Sequence, residues 1–240
     1  MSTSIPSNLA ATQERVAMAA ARSGRGADDC ELLVVSKTWP AEKVAEVVAA
    51  GHHSFGENKV QEAEGKIPQL TELSELASDL RWHLIGHLQR NKVRKALPLF
   101  GTLHGIDSLK LARYTSNIAV ELGLKPDIYL QVNLAVEGSK DGFSPDDLRA
   151  DLDTLLSFEG VNVLGLMCIP PAAATPEDAR PWFVLLRELR DELETQSGRS
   201  LPGLSMGMSG DFEVAIEEGS TIVRVGSAIF GSRNYNKLNH

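Results

Sequence analysis

Short β-branched runs alternate with longer amphipathic stretches about eight times along 240 residues, and this rhythm constrains the fold more than any other feature. Sustained strand–helix alternation implies a parallel sheet covered by helices. About eight units at this length favour a closed (β/α)8 barrel over an open, doubly wound sheet. ELLVVSK (31–37) sets the pattern: Leu32, Leu33, Val34 and Val35 run without a polar break, as in a strand buried on both faces. Further strands are expected at 53–56, 81–86, 103–107, 127–133, 161–167, 204–208 and 221–226. Helices are expected over 7–23 with Ser7 or Asn8 as cap, from Pro40 to about Ala50, and from about Asn58. Others are expected along the basic stretch QRNKVRKAL up to Pro98, from Ser108 to Gly123, from Ser144-Pro145, from Pro176 to about Thr195, and from about Asp211. No composition break or internal repeat appears, so residues 1–240 read as a single α/β domain with an extra N-terminal helix.

A chain this long buries enough apolar surface to fold without disulfides or metals. Its 24 Lys and Arg stand against 32 Asp and Glu, a net charge of −8. Binding to a phosphate backbone or an anionic membrane relies on clustered cations, so neither nucleic acid nor a membrane surface is the expected partner. Cys30 and Cys168 lie far apart and form no C-x-x-C pair, which fits free thiols in a reducing compartment. The N-terminus lacks the basic start and apolar core of a secretory signal, and no apolar run approaches the ~20 residues that span a bilayer. A cytoplasmic protein is expected.

Several chemical motifs are absent. There is no G-x-x-x-x-G-K-[ST] loop, no G-x-G-x-x-G and no G-x-S-x-G elbow. His83 and His87 are four apart, but His83 falls on an expected strand, where that spacing does not bring two ligands together. No metal site is expected. In a barrel, function sits at the C-terminal ends of the strands. The residues there are Lys37, Glu57, Asn58, His83, His87, Asp107, Asn133, Met167, Ser209 and 224–227.

Lys37 ends an apolar strand at the barrel rim. A partly desolvated lysine is disfavoured as ammonium, and the neutral amine is the form that attacks an aldehyde; position alone also allows an ordinary solvated lysine. Two glycine-rich turns, Gly207-Met208-Ser209-Gly210 and Gly226-Ser227, each precede a short helix, where free N–H groups beside a hydroxyl suit a phosphate or simply cap the helix. Arg224 interrupts the apolar run Ile222, Val223, Val225, so its side chain points into the barrel and needs a partner: an aromatic ring nitrogen or a carboxylate. An amine, two phosphate-cradling turns and an inward arginine together suggest pyridoxal 5′-phosphate (PLP). A phosphate-sugar barrel enzyme would use the same turns but leave Lys37 and Arg224 unexplained.

The segments LLVVSKTWP, FGENKVQEAEGK, WHLIGHLQRNK, QVNLAVEGSKDGF, VLGLMCIP and LSMGMSGDFEVAIEEGSTIVRVGSAIFGSR, running from about 31 to 233, resemble the pyridoxal phosphate homeostasis (YggS/PROSC) proteins. The resemblance implies a TIM-type PLP barrel similar to the N-terminal domain of alanine racemase. It implies that Lys37 carries PLP as a Schiff base. It places Ser209, Gly226 and Ser227 at the phosphate, Arg224 at the ring nitrogen, and Asn58 and His83 near the ring. Ser227 stands where many members carry threonine, and the hydroxyl is kept. The function implied is PLP storage, delivery and homeostasis without turnover. The partners implied are PLP and apo PLP-dependent enzymes, with the protein a monomer or weak dimer.

The alternative is a PLP-dependent amino-acid racemase. An arginine at the ring nitrogen disfavours protonation there and weakens the ring as an electron sink. Alanine racemases take a second base, a tyrosine, from an additional C-terminal domain for which a chain ending at His240 leaves no room. Tyr114, Tyr129 and Tyr235 fall mid-helix, mid-strand and in the tail, which favours the carrier. The basic segment 89–95 reads as a solvated face, an acidic-partner surface or a second PLP site.

Overall fold

A computed structural model describes residues 4–73, 75, 79–135, 141–172 and 174–231. Tyr235, residues 136–140 of the QVNLAVEGSKDGF segment, and the last two residues of the 204–233 segment lie outside them. The strands are β1 (Glu31–Val35), β2 (Ser54–Glu57), β3 (Arg81–Leu84), β4 (Thr102–Ile106), β5 (Asp127–Gln131), β6 (Asn162–Met167), β7 (Gly203–Met208) and β8 (Ile222–Val225). They close in chain order, β8 returning to β1, with every pairing parallel. The expected α/β barrel is the observed one.

Helices α1 (Ile5–Arg22), α2 (Ala41–Ala49), α3 (Val60–Leu73), α4 (Val93–Ala96), α5 (Leu109–Leu122), α6 (Pro145–Leu156), α7 (Arg180–Ser197), α8 (Phe212–Glu217) and α9 (Ser227–Phe230) follow or precede the strands. Ser108 and Ser144 cap α5 and α6 through their hydroxyls, as expected of serine at an N-cap. Three boundaries depart from expectation. The first helix begins at Ile5 with Ser4 as its cap, because Pro6 lies in the first turn, where its missing N–H costs nothing. The stretch from Pro176 opens as a 3₁₀ turn over Pro176–Ala179, and α7 starts at Arg180. The basic segment forms a 3₁₀ turn (Arg90–Lys92) and the single turn α4. Only Val93, Ala96 and Leu97 offer a buried face there, and Pro98 then removes the next N–H.

Two apolar clusters separate the barrel's faces. Leu32, Val34, Val223 and Val225 belong to the large core between sheet and helices. Leu33, Tyr129, Met167 and Ile222 form a small cluster inside the barrel. Alternation along a strand accounts for this: Ile222 and Arg224 share the inner face of β8. Helix α1 packs on α8 and α9. Arg15 and Arg22 pair with Glu213 and Glu217 of α8 at 2.8 Å, and Asn8 Nδ2 donates to Ile229 O at 2.9 Å. The extra helix thereby straps down the two short helices that follow the β7 and β8 loops. Among the described residues, no helix is long and apolar enough to cross a membrane.

Candidate functional site

A cavity of about 520 Å³ opens at the C-terminal ends of the strands. Lys37, Asn58, Ser209, Arg224, Gly226 and Ser227 all line it, brought from four separate segments of the chain. His83 does not line it; this residue is buried on β3, with its Nδ1 3.0 Å from His104 Nε2. Trp39, Ile85, Ile169 and Met208 also line the cavity and supply its apolar walls. They carry no polar signature, so sequence reasoning had no handle on them.

Lys37 sits two residues beyond the end of β1, half-buried, in a turn rather than on the strand itself. The turn is unusual: Thr38 has φ +67°, a left-handed conformation costly for a β-branched residue. Buried charges hold it. Lys66 Nζ of α3 donates to Ser36 O at 2.8 Å, to Glu57 Oε1 at 2.6 Å and to Glu62 Oε1 at 2.8 Å. Ser36 Oγ donates to Glu57 Oε1 at 2.7 Å, and the Thr38 N–H donates to Glu62 Oε1. Glu57 is fully buried, its Oε2 lacks a partner among the described residues, and burial raises its pKa against the lowering pull of Lys66. Glu57 was visible as a strand-end residue. Lys66 was not, because nothing local marks a helical lysine for burial.

The two glycine-rich turns lie side by side: the Gly226 N–H donates to Ser209 Oγ at 3.2 Å. Ser209 therefore accepts there and keeps its own proton for a ligand. Gly207 has φ +94°, and a Cβ there would meet Ala215 Cβ at 2.6 Å. A Cβ on Gly226 would lie 3.0 Å from Val35 O, so glycine allows β8 to close tightly on β1 beside Lys37. Trp39 stacks on Phe230 of α9 at 5.3 Å and joins the Lys37 turn to the second glycine turn.

Arg224 forms the floor. Its Nη1 donates to Ser205 O at 2.8 Å and Ser205 Oγ at 2.6 Å, and its Nη2 donates to Cys168 O at 2.9 Å. Among the described residues no carboxylate pairs with it; burial lowers its pKa, and Asp211 opposes this only through space. Burial also pushes the free thiols of Cys30 and Cys168 up to about 12, which makes them poor nucleophiles. Tyr129 is buried against His104, Tyr114 is on α5, and neither lines the cavity. His87 pairs with Asp107 at 2.9 Å and approaches Asp141 at 3.4 Å on the exposed rim.

The cavity's donor set fits PLP: an amine, two hydroxyl-bearing glycine turns for a phosphate, and an arginine lacking a carboxylate partner to meet a ring nitrogen. The family model for the alanine racemase N-terminal domain matches residues 7–234. A pyridoxal phosphate homeostasis protein of Aquifex aeolicus is 44% identical over 227 residues, which cover 95% of this chain and 97% of that one. The chain belongs to the pyridoxal phosphate homeostasis protein family. Among solved structures, PipY of Synechococcus elongatus is 42% identical with a TM-score of 0.80, the match covering 91% of this chain and 99% of that one, and is known without and with PLP bound. An alanine racemase of Clostridium difficile, 15% identical with a TM-score of 0.66, shares the barrel fold over 87% of this chain and 54% of its own.

Proposed function

We propose that this protein holds PLP in the barrel mouth through a Schiff base on Lys37 and serves cytoplasmic storage and delivery of the cofactor to apo PLP-dependent enzymes. The observation that carries this reading is the convergence of Lys37, Ser209, Ser227 and Arg224 on one cavity in a chain 42% identical to a protein solved with PLP. When bound, PLP supplies an aldehyde carbon for an amine and an electron-poor aromatic ring. Lys37 offers the amine. Ser209 and Ser227, with the N–H groups of their turns, hold the phosphate. Arg224 directs a permanently charged donor at the ring nitrogen and keeps a proton off it. Neither Tyr114 nor Tyr129 reaches the cavity, so neither supplies the second acid–base group of a two-base racemase.

The test is a mixing experiment. Protein loaded with PLP should absorb at the violet edge and reactivate a PLP-depleted transaminase faster than PLP dissociates into solution. Its α-proton exchange with alanine in deuterated buffer should stay far below ~1 s⁻¹, the low end of enzyme turnover. Exchange at that rate or above overturns the carrier in favour of a racemase.

Single Ser209→Ala and Ser227→Ala changes should each weaken PLP binding by about 1–3 kcal/mol, the range for hydrogen bonds to a charged group. Affinity for pyridoxal, which lacks the phosphate, should be nearly unchanged. Titrating both ligands against each variant checks this, and equal weakening for both places the phosphate elsewhere.

A further inference from the structure

Behind Arg224 a line of buried polar side chains crosses the barrel interior. Ser205 Oγ, which accepts from Arg224 Nη1 at 2.6 Å, lies 2.7 Å from His104 Nδ1. His104 Nε2 lies 3.0 Å from His83 Nδ1. Ser205 and His104 are completely buried, and His83 and Arg224 nearly so. The His104 ring also stacks on Tyr129, with centroids 4.6 Å apart.

The chemistry of these groups gives the line one direction. A guanidinium only donates, so the Ser205 hydroxyl accepts at that end. Among the described residues the hydroxyl's own proton has one acceptor within reach, His104 Nδ1, and any other arrangement leaves it buried without a partner. His104 Nδ1 is then unprotonated, and its Nε2–H donates to an unprotonated His83 Nδ1. Both imidazoles are therefore neutral Nε2–H tautomers. Burial supports this, pushing His83 down to about 4 and His104 well below the ordinary histidine range, with Arg224 adding repulsion at His104. The remaining charges near His83 are Glu31, Arg81 and Asp127, at the strands' N-terminal ends.

We propose that His104 is a positioning residue for Arg224: acting through the Ser205 hydroxyl, it fixes the guanidinium in the cavity floor by a one-way chain of hydrogen bonds that ends at His83. The proposal rests on the reading that Arg224 meets the ring nitrogen of PLP. His104 and Ser205 give the arginine a neutral, fully committed acceptor where a carboxylate would cancel its charge. The guanidinium then keeps its full charge and its orientation toward the cavity.

The test has two parts. In the PLP-free protein, ¹⁵N spectra of the histidine rings should show His104 and His83 as neutral Nε2–H tautomers from pH 6 to 9 (about the working range of such spectra). Protonation at His104 Nδ1 overturns the chain. In the loaded protein, His104→Phe keeps the ring stacked on Tyr129 but removes the acceptor. It should weaken PLP binding about tenfold, roughly the worth of one lost hydrogen bond, and shift the pH midpoint of the violet-edge absorbance. His104→Gln, whose amide oxygen can accept the Ser205 proton, should recover most of both effects. Wild-type affinity and midpoint in His104→Phe, while Arg224→Lys moves the midpoint, overturn the proposal alone. An unmoved midpoint in Arg224→Lys removes the ring-nitrogen placement, and the proposal with it.

Discussion

Lys37→Ala is expected to abolish the violet-edge absorbance of the protein mixed with PLP and to leave no lysine labelled after borohydride reduction. Covalent retention through gel filtration should disappear with it. Binding through the phosphate turns should survive, because Ser209, Ser227 and Arg224 reach the cavity independently of Lys37. The fold should also survive, within about 1 kcal/mol by chemical denaturation, since Lys37 is a half-buried rim residue and the turn is held through the Ser36 carbonyl and the Thr38 N–H. Mass mapping of the reduced wild type supplies the deciding control. A label on Lys37 alone supports the assignment, and a label on another lysine, such as Lys59 on the same rim, overturns it.

The barrel was legible because its strands state their environment in their own residues. Leu32 to Val35 are apolar on both faces, and that pattern arises when helices cover one side and a packed interior the other. Serines 108 and 144 announced their helices because capping is a contact between near neighbours. The misplaced boundaries share a cause. Pro6, Pro176 and Pro98 mark a change in backbone geometry, but each is compatible with a first turn, a 3₁₀ turn or a stop, and packing decides which.

The cavity was legible where one residue broke a local rule. Arg224 did so by interrupting an apolar strand, and the glycine turns by their composition. The same rule, applied to every strand, would have found His104 in TLHGI and Ser205 in GLSMGM, polar residues on inward positions of buried strands. His83 was singled out for the cavity and instead lies behind it, linked to Arg224 through those two residues. Lys66 broke no local rule. A lysine on an amphipathic helix is normally solvated, and its burial follows only from the meeting of α3 with the ends of β1 and β2.

The second large effect is expected there. Lys66→Met should destabilise the protein by about 3–5 kcal/mol, the cost of breaking a buried ion pair by removing one partner. Glu57 would be left fully buried beside only Ser36, and Ser36 O would lose its donor. The pH dependence has a definite sign. Burial already raises the pKa of Glu57 in the folded state, and Lys66 is the largest influence lowering it. Without Lys66 the folded pKa rises further above its unfolded value. Such a carboxyl stabilises the fold most at acid pH, where it is protonated, and loses that contribution as pH rises through the folded pKa. The deficit of Lys66→Met relative to wild type should therefore be smallest in acid and grow toward neutral pH, as read from denaturation midpoints across the range. The double variant Lys66→Met, Glu57→Leu should regain much of the stability, because no charge is then buried alone. It should not regain PLP capture. Thr38 would still lack the lysine that fixes Glu62 against its N–H, and the strained turn presenting Lys37 would relax. If the double variant is no more stable than Lys66→Met, the buried charge is not the source of the loss. If it captures PLP as the wild type does, the Lys66 clamp does not position Lys37.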